Sequence, residues 1–111
     1  MPIVTDIINI SEDTREGWRI VHVKGRVDGQ TAETLQKALV AAALAHAQVA
    51  VDCSAVDYMS SAGLRSLLEG ARAAQGVKHT FVVCSPSARV KQVFDISRMH
   101  QVLPIQPVLP C

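Results

Sequence analysis

The chain has 111 residues, of which 49% are apolar and 19% charged. That suits one domain with a hydrophobic core, spanning 1–111, and excludes a disordered chain. Eleven basic residues against ten acidic ones leave a net charge of +1. No basic block stands out, so the electrostatic footprint of nucleic-acid binding is missing. Three cysteines, Cys53, Cys84 and Cys111, form no Cys-x-x-Cys pair, which points to a reduced, cytoplasmic protein. Cys53 and Cys84 both follow apolar strands, and buried small residues are the reading favoured over a redox pair. Met1–Asp6 has neither a cationic stretch nor a long apolar one, so no leader is expected. The most apolar window, Val40–Val51, is broken by His46 and Gln48 and is too short to span a bilayer.

In chain order, Ile3–Ile10 is rich in β-branched residues and reads as an edge strand. Ser11–Gly17 reads as a polar turn. Trp18–Val23 reads as a second strand, paired with the first in a hairpin. Gly25-Arg26-Val27-Asp28-Gly29-Gln30 reads as a loop that ends it. Thr31 then suits an N-cap and Glu33 the first turn of a helix. Ala32, Leu35, Leu39 and Ala42 carry that helix to about His46.

Val49–Val51, closed by Asp52, is short and continuously apolar, as expected of a central strand covered on both faces. Beyond it Leu64, Leu67, Leu68 and Ala71 recur at helical spacing. The chain therefore leaves a buried strand and enters a helix at Ser60 or Ser61. Gln75-Gly76 supplies its C-cap. Lys78–Cys84 is the next strand, and Ser85-Pro86 has the form of a helix start, continued by Val90, Val93 and Phe94. Ile96–Met99 reads as a frayed turn and His100–Ile105 as a possible last strand. Strand–helix–strand units of this kind call for right-handed crossovers between parallel strands. The expected fold is α/β: a mixed sheet of four to five strands, parallel at its centre with an antiparallel hairpin first, covered by three to four helices.

Chemistry concentrates at the second helix start. A serine hydroxyl there can cap the orphan backbone N–H groups of the first turn. It can equally be presented to a partner, where a phosphate would be welcomed by those groups and by the helix dipole. Met59-Ser60-Ser61-Ala62-Gly63 lacks the first glycine of a Gly-x-Ser-x-Gly elbow, and no nucleotide-binding glycine motif is present, so no enzyme is expected. His22, His46, His79 and His100 have no metal-ligand spacing. No metal and no cofactor are expected.

The element order, with Gly25-Arg26-Val27-Asp28 and with Val51-Asp52 followed by Tyr58-Met59-Ser60-Ser61-Ala62-Gly63-Leu64-Arg65, resembles the STAS domain. More narrowly it resembles the single-domain bacterial anti-sigma factor antagonists. In that family the motif is Asp-Ser-Ser/Thr-Gly-Leu, with its first serine phosphorylated. Aligned on Gly63-Leu64, the phosphorylated position falls on Ser61. Ser60 stands where the family has aspartate, and Ala62 where it has a second hydroxyl. Ser60 is the second candidate acceptor.

The resemblance implies partner switching. The unphosphorylated chain binds a serine-kinase anti-sigma factor of the histidine-kinase-like ATPase type and frees its client. Phosphorylation of Ser61 causes release, and a PP2C-like phosphatase resets the cycle. It further implies that Asp28 and Asp52 sit at the same end of the sheet as Ser61, and that Ser60, Ala62, Gly63, Arg65 and Ser66 join them in partner contact. The plainer readings stand beside these. Ser61 serves as an N-cap, Asp28 and Asp52 bond their own turns, and Arg65 and Ser66 are solvated. Gly63 answers either a close partner or tight packing on the sheet. The alternative function is a STAS module that never carries phosphate, within a larger signalling or lipid-transport assembly.

Overall fold

Glu16 and Gly17 reverse the chain with φ of 50° and 87°. Two positive φ values give the turn the twist that flanking strands require. It joins β1 (Ile8–Arg15) to β2 (Trp18–Val27) in antiparallel register, with Arg15 opposite Trp18. The computed structural model describes residues 8–109, so 3–7 of the first expected strand lie outside the described residues. The polar run from Ser11 therefore belongs to β1, and only Glu16-Gly17 turns. An edge strand exposed along much of its length does not need an apolar rhythm, which is why Ser11–Arg15 does not look like one.

The remaining elements are α1 (Ala32–Ala45), β3 (Gln48–Met59), α2 (Ser61–Gly76), β4 (Thr80–Cys84), α3 (Ala88–Ser97) and β5 (Ile105–Gln106). The sheet runs β1-β2-β3-β4-β5, parallel from β2 onward. This is the expected mixed α/β architecture, with five strands and three α-helices among the described residues. Strands laid down in sequence order by crossovers of one hand place their helices on one side. Leu35 and Leu39 of α1, Leu64 and Leu67 of α2, and Val90 and Phe94 of α3 pack on Val21, Val49, Val51 and Val83. On the other face Ile20, Ala50, Val82 and Cys84 form a separate small cluster, flanked by Trp18 and Leu109. So Ala50 is buried, as expected of a central strand, but no helix among the described residues covers it.

Two strands are longer than their apolar runs. β2 continues through Gly25, at φ 105°, and the register shifts between His22 and Lys24 and between Gly25 and Arg26. Glycine here marks irregularity within a strand rather than its end. β3 likewise runs on past Asp52. Its buried residues there are Cys53, Val56 and Met59, a spacing of three that hides the alternation of a strand.

Thr31 is the N-cap residue of α1, as expected, but makes no side-chain capping bond. Other caps differ in position. Gly76 stays inside α2, and the left-handed residue is Lys78, at φ 62°. Ser87, not Ser85, caps α3 by accepting from the Val90 N–H at 3.3 Å, and its hydroxyl donates to the Val56 carbonyl at 2.6 Å. His100–Ile105 is not one strand. A single 3-10 turn, Met99–Gln101, precedes the two residues of β5.

Cys53 and Cys84 lie in the two different clusters, so alternation along the strands turns their thiols to opposite faces. Burial pushes the Cys53 thiol up to about 12, helped by Asp52 and Cys84 nearby. A thiol so rarely ionised is a packing residue, not a redox nucleophile. Cys111 lies outside the described residues.

Candidate functional site

The sheet hands α2 its starting point. Val27 and Met59 are paired at the ends of β2 and β3, and the Ser60 N–H donates to the Val27 carbonyl at 2.9 Å. Ser60 has extended backbone angles, and its hydroxyl oxygen accepts the Gly63 N–H at 3.3 Å. Ser60 is therefore the N-cap. Ser61 is the first helical residue and is exposed. Among the described residues its hydroxyl has no hydrogen-bond partner, and neither do the N–H groups of Ser61 and Ala62. A reachable hydroxyl thus stands beside two uncommitted amides at the positive end of a helix of 16 residues.

Gly63 follows because the helix lands directly on the sheet. A Cβ there would run into Met59 Sδ and come within 2.7 Å of Val27 Cγ1. Of the two readings of this glycine, the close neighbour is the sheet itself. Ser66 is buried, with its hydroxyl donating to the Ala32 carbonyl of α1 at 2.7 Å. It fastens α2 to α1 and is out of a partner's reach.

Asp28 closes the other side of the site. Its Oδ1 accepts the N–H groups of Gln30 at 2.9 Å and Thr31 at 3.2 Å. Arg26 Nε donates to its Oδ2 at 3.1 Å, and the same guanidinium lies 4.1 Å from the centre of the Tyr58 ring. The Gln30 N–H, the Arg26 guanidinium and the Thr31 N–H together hold the Asp28 carboxyl below its usual range, against a cost of desolvation. Thr31 links back through its hydroxyl, which donates to the Arg26 carbonyl at 3.0 Å and accepts the Asp28 N–H at 2.9 Å. The loop is therefore rigid and ionised, one residue beyond the Val27 carbonyl that holds Ser60.

From Ser61 a groove of about 390 Å³ runs along α2, floored by Leu64, Leu68 and Met99 and edged by Arg65, Glu69 and Arg72. Arg65 is exposed one turn after Ser61. Arg72 Nη1 pairs with Glu69 Oε2 at 3.2 Å.

Residues 11–107 match the family model described as Mlab, STAS domain. The chain belongs to the STAS domain family. Within it, the chain is 31% identical over 99 residues to BtrV of Bordetella bronchiseptica, provisionally described as an anti-sigma factor antagonist, with 88% of this chain and 85% of BtrV covered. A crystal structure of an anti-sigma factor antagonist from Mycobacterium paratuberculosis is similar at a TM-score of 0.76 and 25% identity, covering 92% of this chain and 87% of that one. The Bacillus cell fate determinant SpoIIAA, in its phosphorylated form, shares the fold at a TM-score of 0.66 and 16% identity, over 87% and 90% of the two chains.

Set out on this STAS fold, the expected site residues divide. Asp28, Ser60, Ser61 and Ala62 meet at the β2 end of α2, and Arg65 extends the site along the helix. Gly63 and Ser66 lie beneath it as packing residues. Asp52 does not come to this end. It pairs in register with His22, five residues of β2 before Val27, roughly 17 Å away along the strand. It sits mid-strand, because β3 does not stop where its apolar run stops. Its Oδ1 accepts the Ser54 N–H at 3.0 Å, a local backbone bond as the plainer reading had it, but within β3 rather than in a turn. Arg26 and Tyr58 had no role assigned from sequence. Their pairing across β2 and β3 is the signal, visible only once the strand register is known.

Proposed function

We propose that this STAS domain is an anti-sigma factor antagonist that works by partner switching, with Ser61 as its phosphorylated hydroxyl. The observation that supports this is the division of labour between two neighbouring serines. Ser60 is committed to capping α2, which leaves Ser61 exposed and unbonded among the described residues. The likeness to anti-sigma factor antagonists supplies the class of partner.

In this reading the unphosphorylated surface around Ser61, Ala62, Arg65 and the Asp28 loop docks on a serine-kinase anti-sigma factor of the histidine-kinase-like ATPase type, in the cytoplasm. The kinase transfers the γ-phosphoryl group of ATP to Ser61 Oγ, which gives up its proton, and ADP leaves. Phosphorylation adds about −1.5 to −2 charges. The free helix terminus tolerates that charge, and Arg65 one turn on is placed to pair with it. A partner packed over a neutral hydroxyl instead meets a buried dianion, which is costly without a countercharge. A PP2C-like phosphatase then hydrolyses the ester and restores the hydroxyl.

The test is incubation with ATP and the cognate kinase, followed by intact mass and site mapping. One phosphate on Ser61, absent in Ser61→Ala, is the expected result. Phosphate on Ser60 alone would overturn the assignment while keeping the class. The alternative, a STAS module that never carries phosphate within a larger signalling or lipid-transport assembly, draws on Ser60 standing in place of the family's aspartate. No phosphate under these conditions, with stable retention in such an assembly, would favour it.

A further inference from the structure

The helix-free face of the sheet carries a line of three titratable side chains across three strands. His22 of β2 lies between two carboxylates. Its Nδ1 is 2.8 Å from Asp52 Oδ2 on β3, and its Nε2 is 3.2 Å from Asp13 Oδ2 on β1. Neutral imidazole has one N–H and one lone pair, and an ionised carboxylate only accepts. Both contacts are hydrogen bonds only if the trio holds one proton more than a neutral ring and two carboxylates. Without it, a lone pair faces a carboxylate oxygen.

We propose that Asp13, His22 and Asp52 form a proton-binding clamp that holds β1 and β3 to β2 while the extra proton is present and releases β1 when it leaves. The two ends are unequal. Asp52 is mostly buried and is fixed by the Ser54 N–H at 3.0 Å. Asp13 is 44% exposed in its side chain, and Arg15 Nη2 lies 3.3 Å from the same Oδ2 that His22 uses. Asp13 Oδ1 is buried with no hydrogen-bond partner among the described residues, so this carboxylate is poorly held apart from Arg15 and His22. The remaining ring proton therefore stays on Nδ1, toward Asp52, and the Nε2 lone pair drives Asp13 toward Arg15. Among the described residues, Cys84 of β4 lies opposite Asp52 in register, and the exposed Lys24 follows His22 by two residues on β2. The helices pack on the opposite face. Among the described residues β1 is an edge strand with β2 as its one neighbour, so it is where the release is felt.

This inference does not depend on phosphorylation. It is tested by NMR on the full chain over a pH series that takes the His22 ring from protonated to neutral, followed by the ring's own signals. Amide exchange across β1, corrected for the intrinsic pH dependence, is expected to speed up about two- to fivefold as His22 loses its proton. In Asp13→Asn the side-chain amide donates to the neutral ring, so that acceleration should vanish. Long-range nitrogen spectra of wild-type His22 should show the neutral ring protonated on Nδ1. β1 protection that does not change in the wild type, an equal change in Asp13→Asn, or a neutral ring protonated on Nε2 would each overturn the clamp.

Discussion

Gly63 of α2 rests against Val27 of β2 so closely that a Cβ on the glycine would come within 2.7 Å of Val27 Cγ1. This contact sets how near α2 lies to the sheet. Alanine is the better helix former by about 1 kcal/mol. Overpacking a fixed contact costs about 1–3 kcal/mol. Val27 and Met59 are both buried and paired at strand ends, with little room to yield. Gly63→Ala is therefore expected to lower unfolding free energy by up to about 2 kcal/mol in urea denaturation, the overpacking exceeding the propensity gain. A variant more stable than the wild type would show that helix propensity wins and that the contact is loose.

The two serines at the start of α2 should behave differently when truncated. Ser60→Ala removes the oxygen that accepts the Gly63 N–H, a loss of about 1 kcal/mol. Ser61→Ala removes a hydroxyl that bonds nothing among the described residues, so a change within about 0.5 kcal/mol is expected. Paired denaturation curves decide the matter. If Ser61→Ala is the more damaging of the two, the capping assignment is reversed and the accessible hydroxyl is Ser60.

Sequence alone was enough for the element order, the mixed sheet and the strand-to-helix start at Ser60 and Ser61. Apolar spacing in Leu64, Leu67 and Leu68 and the serines before them are local signals. What it missed depends on pairing between strands. Asp52 looked like the end of β3 because Val49–Val51 ends there, yet hydrogen bonding to β2 carries the strand to Met59. Ser66 looked solvated because serine is polar, yet the carbonyl of Ala32 on another helix gives it a buried partner. Apart from Thr31, capping chemistry was recognised at the right places but one or two residues off. Several hydroxyls compete at each helix start, and backbone geometry selects between them.

Asp52 links stability to acidity. Burial raises its pKa, but the Ser54 backbone and hydroxyl together with His22 outweigh this and leave it below the ordinary value. The unfolded chain therefore binds its proton at higher pH than the folded one. Its contribution is fully present above about pH 4, the unfolded value, and is lost as pH falls through the depressed folded value. Asp52→Asn should be less stable than wild type near neutrality, and the gap between the two urea midpoints should close on acidification toward about pH 2. A gap that stays constant to that pH would mean the Asp52 carboxylate is not stabilised by its neighbours.

Placing charge at Ser61 should separate folding from binding. A carboxylate at the first position of α2 meets the N–H groups of Ser61 and Ala62 and the positive end of the helix, and Arg65 lies one turn on. Ser61→Asp is therefore expected to match or exceed wild-type stability, by up to about 1 kcal/mol. In the proposed complex, the same charge facing a docked kinase lacks its water and gains no countercharge from the partner. A penalty of about 3–4 kcal/mol weakens binding roughly a few hundredfold. Denaturation reports the first quantity and calorimetric titration against the kinase the second. Unfolding of the variant would mean the helix terminus cannot host a charge. Wild-type affinity from a folded variant would mean that release must come from a change of shape, because added charge alone does not break the complex.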